Sequence, residues 1–188
     1  MTSHGPVIDC IEVHSPLHRK DHRSETLVLD ETVRRVYVET TIASYLTAHR
    51  SRDLVVAAHQ ELTIEWWGMH RHRFALFVSE VVLTESGRGD PAAATRRLVE
   101  LQGIQILELN DRARELARAF VDRRLIPEKA VEDALHVAVA TVGGMDFLLT
   151  WNCRHIANAE VVDRLGAVCL EFGYRMPVLC TPEQLMGN

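Results

Sequence analysis

The sequence contains few cysteines, and their arrangement is not typical of a zinc site or of a disulfide framework. The chain has 188 residues and four cysteines, none of which form a CxxC pair. So few cysteines in a chain of this length do not make the dense disulfide framework of small secreted domains. We therefore expect the protein to work in a reducing cytoplasm.

Long apolar segments are also missing. No run of apolar residues approaches the roughly 18 to 20 residues that a membrane-spanning helix needs. The N-terminus lacks the apolar stretch of a signal peptide. We expect a protein that is neither exported nor bound to a membrane.

The chain lacks an excess of positive charge, with a formal net charge of -5 at pH 7. This balance argues against a non-enzymatic module that coats DNA through a basic surface. It leaves open a nucleic-acid enzyme, because a local basic rim and a bound metal ion can act within an acidic protein.

What is present is typical of one globular domain, since 47% of the residues are hydrophobic and 25% are charged. A chain of 188 residues forms one ordinary domain more comfortably than two. Residues 1–34 show no sustained periodicity, and we interpret them as a weakly ordered extension before a domain at residues 35–188. Four histidines in the extension could bind a metal ion, but their irregular spacing favours a solvated tail. They are His4, His14, His18 and His22.

Apolar strands alternate with helical patterns beyond this extension, which indicates an α/β fold with a mainly parallel sheet. Asp53, Ser79 and Asp90 are predicted N-caps of helices. We expect the last helix at residues 159–165. The predicted strands are residues 36–38, 74–79, 104–109, 146–150 and 168–170.

Four polar side chains follow or precede these strands at places where a ligand site is expected. Glu39 comes directly after the first strand, and Glu85 lies in the short helix after the second. Asp133 lies in an apolar helix before the fourth strand, and Asn152 lies just beyond it. Ligand sites of open parallel α/β sheets gather at the carboxyl ends of the strands, so these side chains are expected to converge.

Each of these positions also has a purely structural interpretation. Glu39 could pair with an arginine, and Glu85 could be a solvated surface residue, with Glu80 competing for its role. Asp133 could lie in an exposed first turn, where the helix dipole favours an acid. For His136, three residues after Asp133, a satisfied core histidine is favoured over a functional one.

Small hydroxyl and basic side chains near the acids are candidates for supporting roles. Thr40, Thr41 and Thr150 could orient a carboxylate or hold a metal-bound water, although a capping role is slightly favoured for Thr41. Arg154 and His155 could contact phosphate or assist proton transfer.

Four segments, in this order, make the chain resemble the PIN-domain proteins, a nuclease family that includes the VapC-type toxins. They are "VYVETTIASYL", "VSEVVLTES", "DALHVAVA" and "LLTWNCRHIANA". The resemblance extends from about Val36 to about Glu183 and implies an α/β/α sandwich with a central, mainly parallel sheet. It implies cleavage of RNA phosphodiester bonds by metal-activated water, with an acidic cluster that binds Mg²⁺ or Mn²⁺. It also implies a homodimer and a cognate antitoxin.

The resemblance implies that these four polar side chains bind the metal ion and form the catalytic set, Asn152 through its amide oxygen. The sequence departs from the family pattern at two of the positions. Glu39 stands where the family usually has its first aspartate, and Asn152 stands at its fourth acidic position. Glu85 and Asp133 match the family's residue types. The implied function is a metal-dependent endoribonuclease, and the alternative is a catalytically weak or inactive domain that binds RNA or a protein.

Overall fold

In the part of the chain that the structure describes, five parallel strands form the central sheet. The structure is a computed structural model that describes residues 1–2 and 33–187. Residues 3–32, which include most of the predicted extension and its four histidines, lie outside the described residues. The strands are β1 (Arg34–Val38), β2 (Phe74–Ser79), β3 (Gln105–Leu107), β4 (Phe147–Leu149) and β5 (Val178–Cys180).

The strand order is β3-β2-β1-β4-β5, and every neighbouring pair is parallel. From β1 the chain adds β2 and then β3 on one side of the sheet. It then crosses over and adds β4 and β5 on the other side of β1. The point at which the winding direction changes lies between β1 and β4, where Val38 pairs with Leu149. Open α/β sheets bind their ligands at the carboxyl ends of the strands beside such a point.

Helices flank this sheet and complete an α/β/α sandwich, so the predicted fold class is confirmed. A π-helix at Trp66–His70 and 3-10 turns at Arg71–Arg73, Glu128–Ala130 and Glu183–Leu185 join or end the main elements. The α-helices are α1 (Thr40–Thr47), α2 (Leu54–Glu65), α3 (Glu80–Ser86), α4 (Pro91–Glu100), α5 (Asp111–Asp122), α6 (Val131–Val142) and α7 (Val162–Glu171).

Two of the three predicted helix caps are confirmed. The Asp53 side chain accepts hydrogen bonds from the backbone at the start of α2, and Asp90 does the same for α4. Ser79 precedes α3 but makes no capping hydrogen bond. Its hydroxyl lies 2.7 Å from the Tyr37 hydroxyl instead, because this buried phenol needs a partner of its own.

The prediction for the C-terminal part of the chain was wrong. Val168 and its neighbours form the end of α7 and not a strand, and the last strand is β5, about ten residues later along the chain. Leu165, Val168 and Cys169 are buried while Leu170 is 69% exposed, which is the spacing of an amphipathic helix. β5 pairs with β4 and lengthens the sheet at that edge.

The hydrophobic core lies on both faces of the sheet. Val36, Tyr37 and Val38 of β1 are fully buried, as expected for a central strand covered by helices. Trp66 is also fully buried, and Trp67 is 6% exposed. Among the helices that the structure describes, none has the length and apolar character needed to cross a membrane.

Gly143 ends α6 at a position where a side chain would not fit. A Cβ atom at this position would lie 2.9 Å from Leu107 Cδ1 and 2.9 Å from the Val139 carbonyl oxygen. We expect Gly143→Ala to lower the free energy of unfolding by about 1–3 kcal/mol, because the backbone oxygen cannot easily move away. Urea denaturation measures this change.

Gly68→Ala is the control for this substitution, because no atom lies within 4 Å of a Cβ built at Gly68. It should leave the stability unchanged or raise it by up to about 1 kcal/mol. A Gly143→Ala protein as stable as the wild type would show that the Leu107 side chain and the last turn of α6 can adjust at no cost.

Candidate metal centre

A cluster of acidic side chains lies where β1 and β4 end. Glu39 follows β1 directly, and its backbone N–H donates to the Leu149 carbonyl at the end of β4. Thr150, the next residue after β4, donates its hydroxyl to Glu39 Oε2 over 2.7 Å. Glu39, the first predicted acid, therefore lies at the point where the winding direction of the sheet changes.

The carboxylate of Glu39 is held by hydroxyl groups and is only 3% exposed. Thr41 and Thr150 both donate to its Oε2 atom. The salt bridges of the described residues include none between Glu39 and an arginine, so the structural alternative for Glu39 is not realised there. Thr41, for which a capping role was favoured, instead joins Glu39 to the backbone N–H of Trp151.

Glu85 reaches the same cluster from the last turn of α3. Its Oε2 atom accepts a hydrogen bond from the Thr40 hydroxyl and lies 2.8 Å from His136 Nε2. The side chain of Glu85 is 18% exposed, whereas Glu80 is an exposed residue at the start of the same helix. The structure therefore brings Glu85, and not Glu80, to the predicted site.

His136 is completely buried between the acids and the sheet. Its Nδ1 atom lies 2.8 Å from the Tyr37 hydroxyl, so both ring nitrogens have a partner, as expected for a core histidine. Its Nε2 atom also lies 4.0 Å from Glu39 Oε1. His136 is therefore a core residue that faces two carboxylates, and its position three residues after Asp133 on α6 is the signal that points to it.

Asp133 and Asn152 form a pair beside this cluster. The Asn152 side-chain amide donates to Asp133 Oδ1 over 2.9 Å, and both residues are half-buried. Asn152 Oδ1 accepts a hydrogen bond from the backbone N–H of His155. The oxygen predicted to bind a metal ion thus already has a donor, and the amide of Asn152 orients Asp133.

Arg154 and His155 lie in the turn that follows this asparagine. Arg154 is exposed and His155 is half-buried. The turn is fixed by hydrogen bonds from the backbone N–H groups of Ile156 and Ala157 to the Asn152 carbonyl. The charge of His155 acts on Asp133, so this turn brings at least one of its two basic side chains close to the Asp133–Asn152 pair.

Comparison with known proteins gives similarity in structure alone. No family model and no curated protein matches the sequence. The VapBC2 structure from Rickettsia felis, bound to a DNA fragment from its promoter, is 13% identical with a TM-score of 0.50, covering 78% of this chain and 98% of that one. VapC20 from Mycobacterium tuberculosis, a sarcin-ricin loop cleaving toxin, is 16% identical with a TM-score of 0.51. The match covers 66% of this chain and 95% of that one. The chain has a VapC-like PIN-domain fold.

Within this VapC-like fold, Glu85 and His136 shift each other's pKa. Burial opposes ionisation of Glu85, but the hydrogen bond and charge of His136 and the hydroxyl of Thr40 outweigh it and lower the pKa of the carboxyl. Burial likewise opposes the charged imidazole, yet the bond to Glu85 and the charges of Glu39 and Glu85 raise the pKa of His136. The pair favours its charged form.

Burial also changes the pKa of Asp133 and of Tyr37, and in both groups it favours the neutral form. Burial raises the pKa of Asp133, although the hydrogen bond from Asn152 and the nearby histidines partly offset it. Burial also raises the pKa of Tyr37 well above its ordinary value, so the phenol remains a neutral donor at physiological pH. For Asp133, burial thus outweighs the hydrogen bond from Asn152 and the charges of the two histidines.

The donor atoms of the cluster suit a divalent cation. One atom each from Glu39, Glu85 and His136 lie within 4.8 Å of one another, and Asp133 is adjacent to them. Carboxylate oxygens suit Mg²⁺ and Mn²⁺, and imidazole nitrogen suits transition metals. The residues present therefore fit a metal ion.

Proposed function

We propose that this chain is a metal-dependent endoribonuclease that hydrolyses RNA phosphodiester bonds. The observation that carries the proposal is the convergence of Glu39 and Glu85, with Asp133 beside them, at the carboxyl ends of the central strands. Glu39 is almost wholly buried, with two neutral hydroxyls on Oε2 and with His136 Nε2 4.0 Å from Oε1. A cation bound beside this carboxylate would offset the cost of burying its charge.

In this proposal Glu39, Glu85 and Asp133 hold Mg²⁺ or Mn²⁺. A divalent cation bound there would supply Lewis acidity, lowering the pKa of a water molecule and stabilising charge on the phosphate. Thr150 and Thr40 orient the two glutamates through their hydroxyl groups. Asn152 orients Asp133, and its own oxygen remains engaged with the backbone.

Arg154 and His155 are proposed to bind the RNA backbone. They lie in the turn after β4, the charge of His155 acts on Asp133, and the exposed guanidinium of Arg154 is suited to a phosphate group. They would place the scissile phosphate beside the carboxylates and help stabilise its charge.

We also propose that the chain is the toxin of a type II toxin–antitoxin pair, with a cognate antitoxin as partner and a homodimer as its assembly. The support is the shared fold with the VapBC2 structure and with the VapC20 toxin. A small gene for a protein with a DNA-binding N-terminus directly upstream would support the pairing. Co-expression followed by size-exclusion chromatography tests both partners.

The test of the activity is cleavage of a panel of RNAs by the purified chain with Mn²⁺, with Mg²⁺ and with excess EDTA. We expect cleavage with a metal ion and loss of at least about 10²-fold with EDTA, because the carboxylates alone cannot activate water. Restoring Mn²⁺ after chelation should restore cleavage. Activity that EDTA leaves unchanged, or no cleavage with either metal, would contradict the proposal.

A second candidate is a non-catalytic domain that binds RNA or a protein. Asn152 favours it, because an amide replaces a charge at the fourth position of the cluster and its oxygen accepts a backbone N–H. Such a domain would bind RNA without cleaving it and would gain no thermal stability from Mn²⁺. An intact site should instead raise the melting temperature as the Mn²⁺ concentration increases.

A further inference from the structure

One oxygen of the most buried carboxylate has no hydrogen bond within the described part of the chain. Glu39 is 3% exposed, and both threonine hydroxyls donate to its Oε2 atom. Its Oε1 atom accepts none from the described residues and lies 4.0 Å from His136 Nε2. At 4.0 Å these two atoms are too far apart for a hydrogen bond, which leaves space between them for a cation that both could bind.

The Nε2 atom of His136 faces the same space. It lies 2.8 Å from Glu85 Oε2, and the three donor atoms of Glu39, Glu85 and His136 lie within 4.8 Å of one another. Ligands about 2 Å from one ion are separated by roughly 4 Å or less, so small side-chain movements would bring these atoms together. The imidazole is thus a candidate ligand and not only a hydrogen-bond partner of Glu85.

We infer that His136 Nε2 binds the divalent cation together with Glu39 and Glu85, and that this nitrogen gives the site a preference for Mn²⁺ over Mg²⁺. The inference rests on the proposed function only in taking the cluster to be a metal site. It assigns His136 a role that the acids alone do not supply.

The Tyr37 and Ser79 hydroxyls form a chain that fits this role. A ligating Nε2 atom needs its lone pair, so the ring proton must be on Nδ1. Nδ1–H can then donate to the Tyr37 hydroxyl over 2.8 Å, and Tyr37 can donate to Ser79 Oγ over 2.7 Å. The proton that Nε2 shares with Glu85 in the metal-free protein leaves to solvent when the ion binds. His136 Nδ1–H and the Tyr37 hydroxyl thus each keep an acceptor.

This chain of hydroxyls also links two buried polar residues of the sheet to the cluster. Tyr37 is a fully buried phenol on the central strand, and Ser79 is a fully buried hydroxyl at the end of β2. Partners of this kind orient a metal-ligating histidine, and removing one typically lowers metal affinity about 10- to 100-fold. Tyr37 is therefore a positioning residue that acts through His136.

The preference for Mn²⁺ follows from the chemistry of the donor atoms. Mg²⁺ is a hard cation that is bound through oxygen and retains several water molecules. Imidazole nitrogen suits first-row transition metals better than Mg²⁺. A site with two carboxylates and one imidazole should therefore select Mn²⁺ more strongly than a site of carboxylates alone.

The test uses the purified full chain and Mn²⁺ as the probe, with electron spin-echo envelope modulation as the readout. The wild-type protein should show hyperfine coupling from a directly bound nitrogen, and this signal should change when the histidines are labelled with ¹⁵N. This measurement needs no substitution, so it does not depend on whether a variant folds.

Substitutions then identify the nitrogen. His136→Gln should abolish the nitrogen coupling and weaken Mn²⁺ binding by at least about tenfold, and Mg²⁺ binding, measured by competition, should weaken less. Tyr37→Phe should keep the coupling and weaken Mn²⁺ binding about 10- to 100-fold. His72→Gln is the matched control, because His72 is exposed on the turn before β2, and it should behave as the wild type.

The inference and the proposed function fail in different ways. Bound Mn²⁺ without nitrogen coupling in the wild type, or an unchanged preference for Mn²⁺ over Mg²⁺ in His136→Gln, would overturn the inference even if RNA is cleaved. No Mn²⁺ binding at all would also overturn it and would leave His136 as the internal partner of Glu85. Nitrogen coupling without RNA cleavage would support the inference and contradict the proposed function.

Discussion

Replacing Glu39 by glutamine should abolish metal-dependent RNA cleavage. We expect the rate to fall on the order of 10³-fold or more, as it does when a main electrostatic group is removed from other enzymes. The amide oxygen of glutamine can still accept from the Thr41 and Thr150 hydroxyls. Its NH₂ group would then occupy the position of Oε1 and present a donor where the cation needs an acceptor. The substitution changes charge and leaves shape almost unchanged.

Initial rates on a cleaved RNA measure this loss, and thermal unfolding with and without Mn²⁺ gives a second readout. A bound metal ion stabilises the folded protein by an amount that grows with the ratio of its free concentration to its Kd. The Glu39→Gln protein should lose this stabilisation by Mn²⁺. Glu80→Gln is the matched control, because Glu80 is an exposed glutamate on α3 and should retain both activity and stabilisation. Full activity of Glu39→Gln would remove Glu39 from the proposed metal site.

Much of the fold could be predicted from the sequence because its local signals agree with one another. The central strand at Val36–Val38, the Asp53 and Asp90 caps and the alternation of strands with helices each indicate the same α/β arrangement. Parallel winding then places the residue after β1 beside the residue after β4, so Glu39 and Thr150 meet although they are 111 positions apart. The convergence of the acids follows from topology.

The part of the site that the sequence did not reveal depends on contacts between distant side chains. Tyr37 and His136 are 99 positions apart, and Glu85 and His136 are 51 apart. The spacing on α6 places His136 near Asp133, but it does not show that the ring faces Glu39 and Glu85, because the same apolar spacing is typical of an ordinary core histidine. Thr41 was assigned to a cap for the same reason, since its contact with Trp151 is set by the fold.

The error at the C-terminus has a different physical cause. The short apolar run around Val168 has the composition of a strand, and periodicity cannot separate a strand from a buried helix over so few residues. The burial of Leu165 and Val168 on one face of α7 shows that packing decided the outcome. β5 is only three residues long and follows a proline, so it was too short to be recognised from its pattern.

Asp133→Asn should separate the stability of the site from its activity. Burial raises the pKa of Asp133, so its charged form is disfavoured in the metal-free protein, and a neutral amide should leave the melting temperature there unchanged or raise it. A bound cation reverses this preference, because it favours the carboxylate. We therefore expect Asp133→Asn to lose RNA cleavage by about 10²-fold or more and to gain less stability from Mn²⁺ than the wild type.

The control for Asp133→Asn is Asp163→Asn, since Asp163 also lies in the first turn of a helix but is exposed. A first-turn acid is favoured by the helix dipole by about 0.3–1 kcal/mol, so Asp163→Asn should lower the melting temperature slightly and leave cleavage unchanged. If Asp133→Asn behaves like Asp163→Asn, Asp133 stabilises only the first turn of α6 and the cation is held without it. If activity falls while metal-free stability does not, Asp133 acts on the cation or the substrate, because the loss cannot come from unfolding.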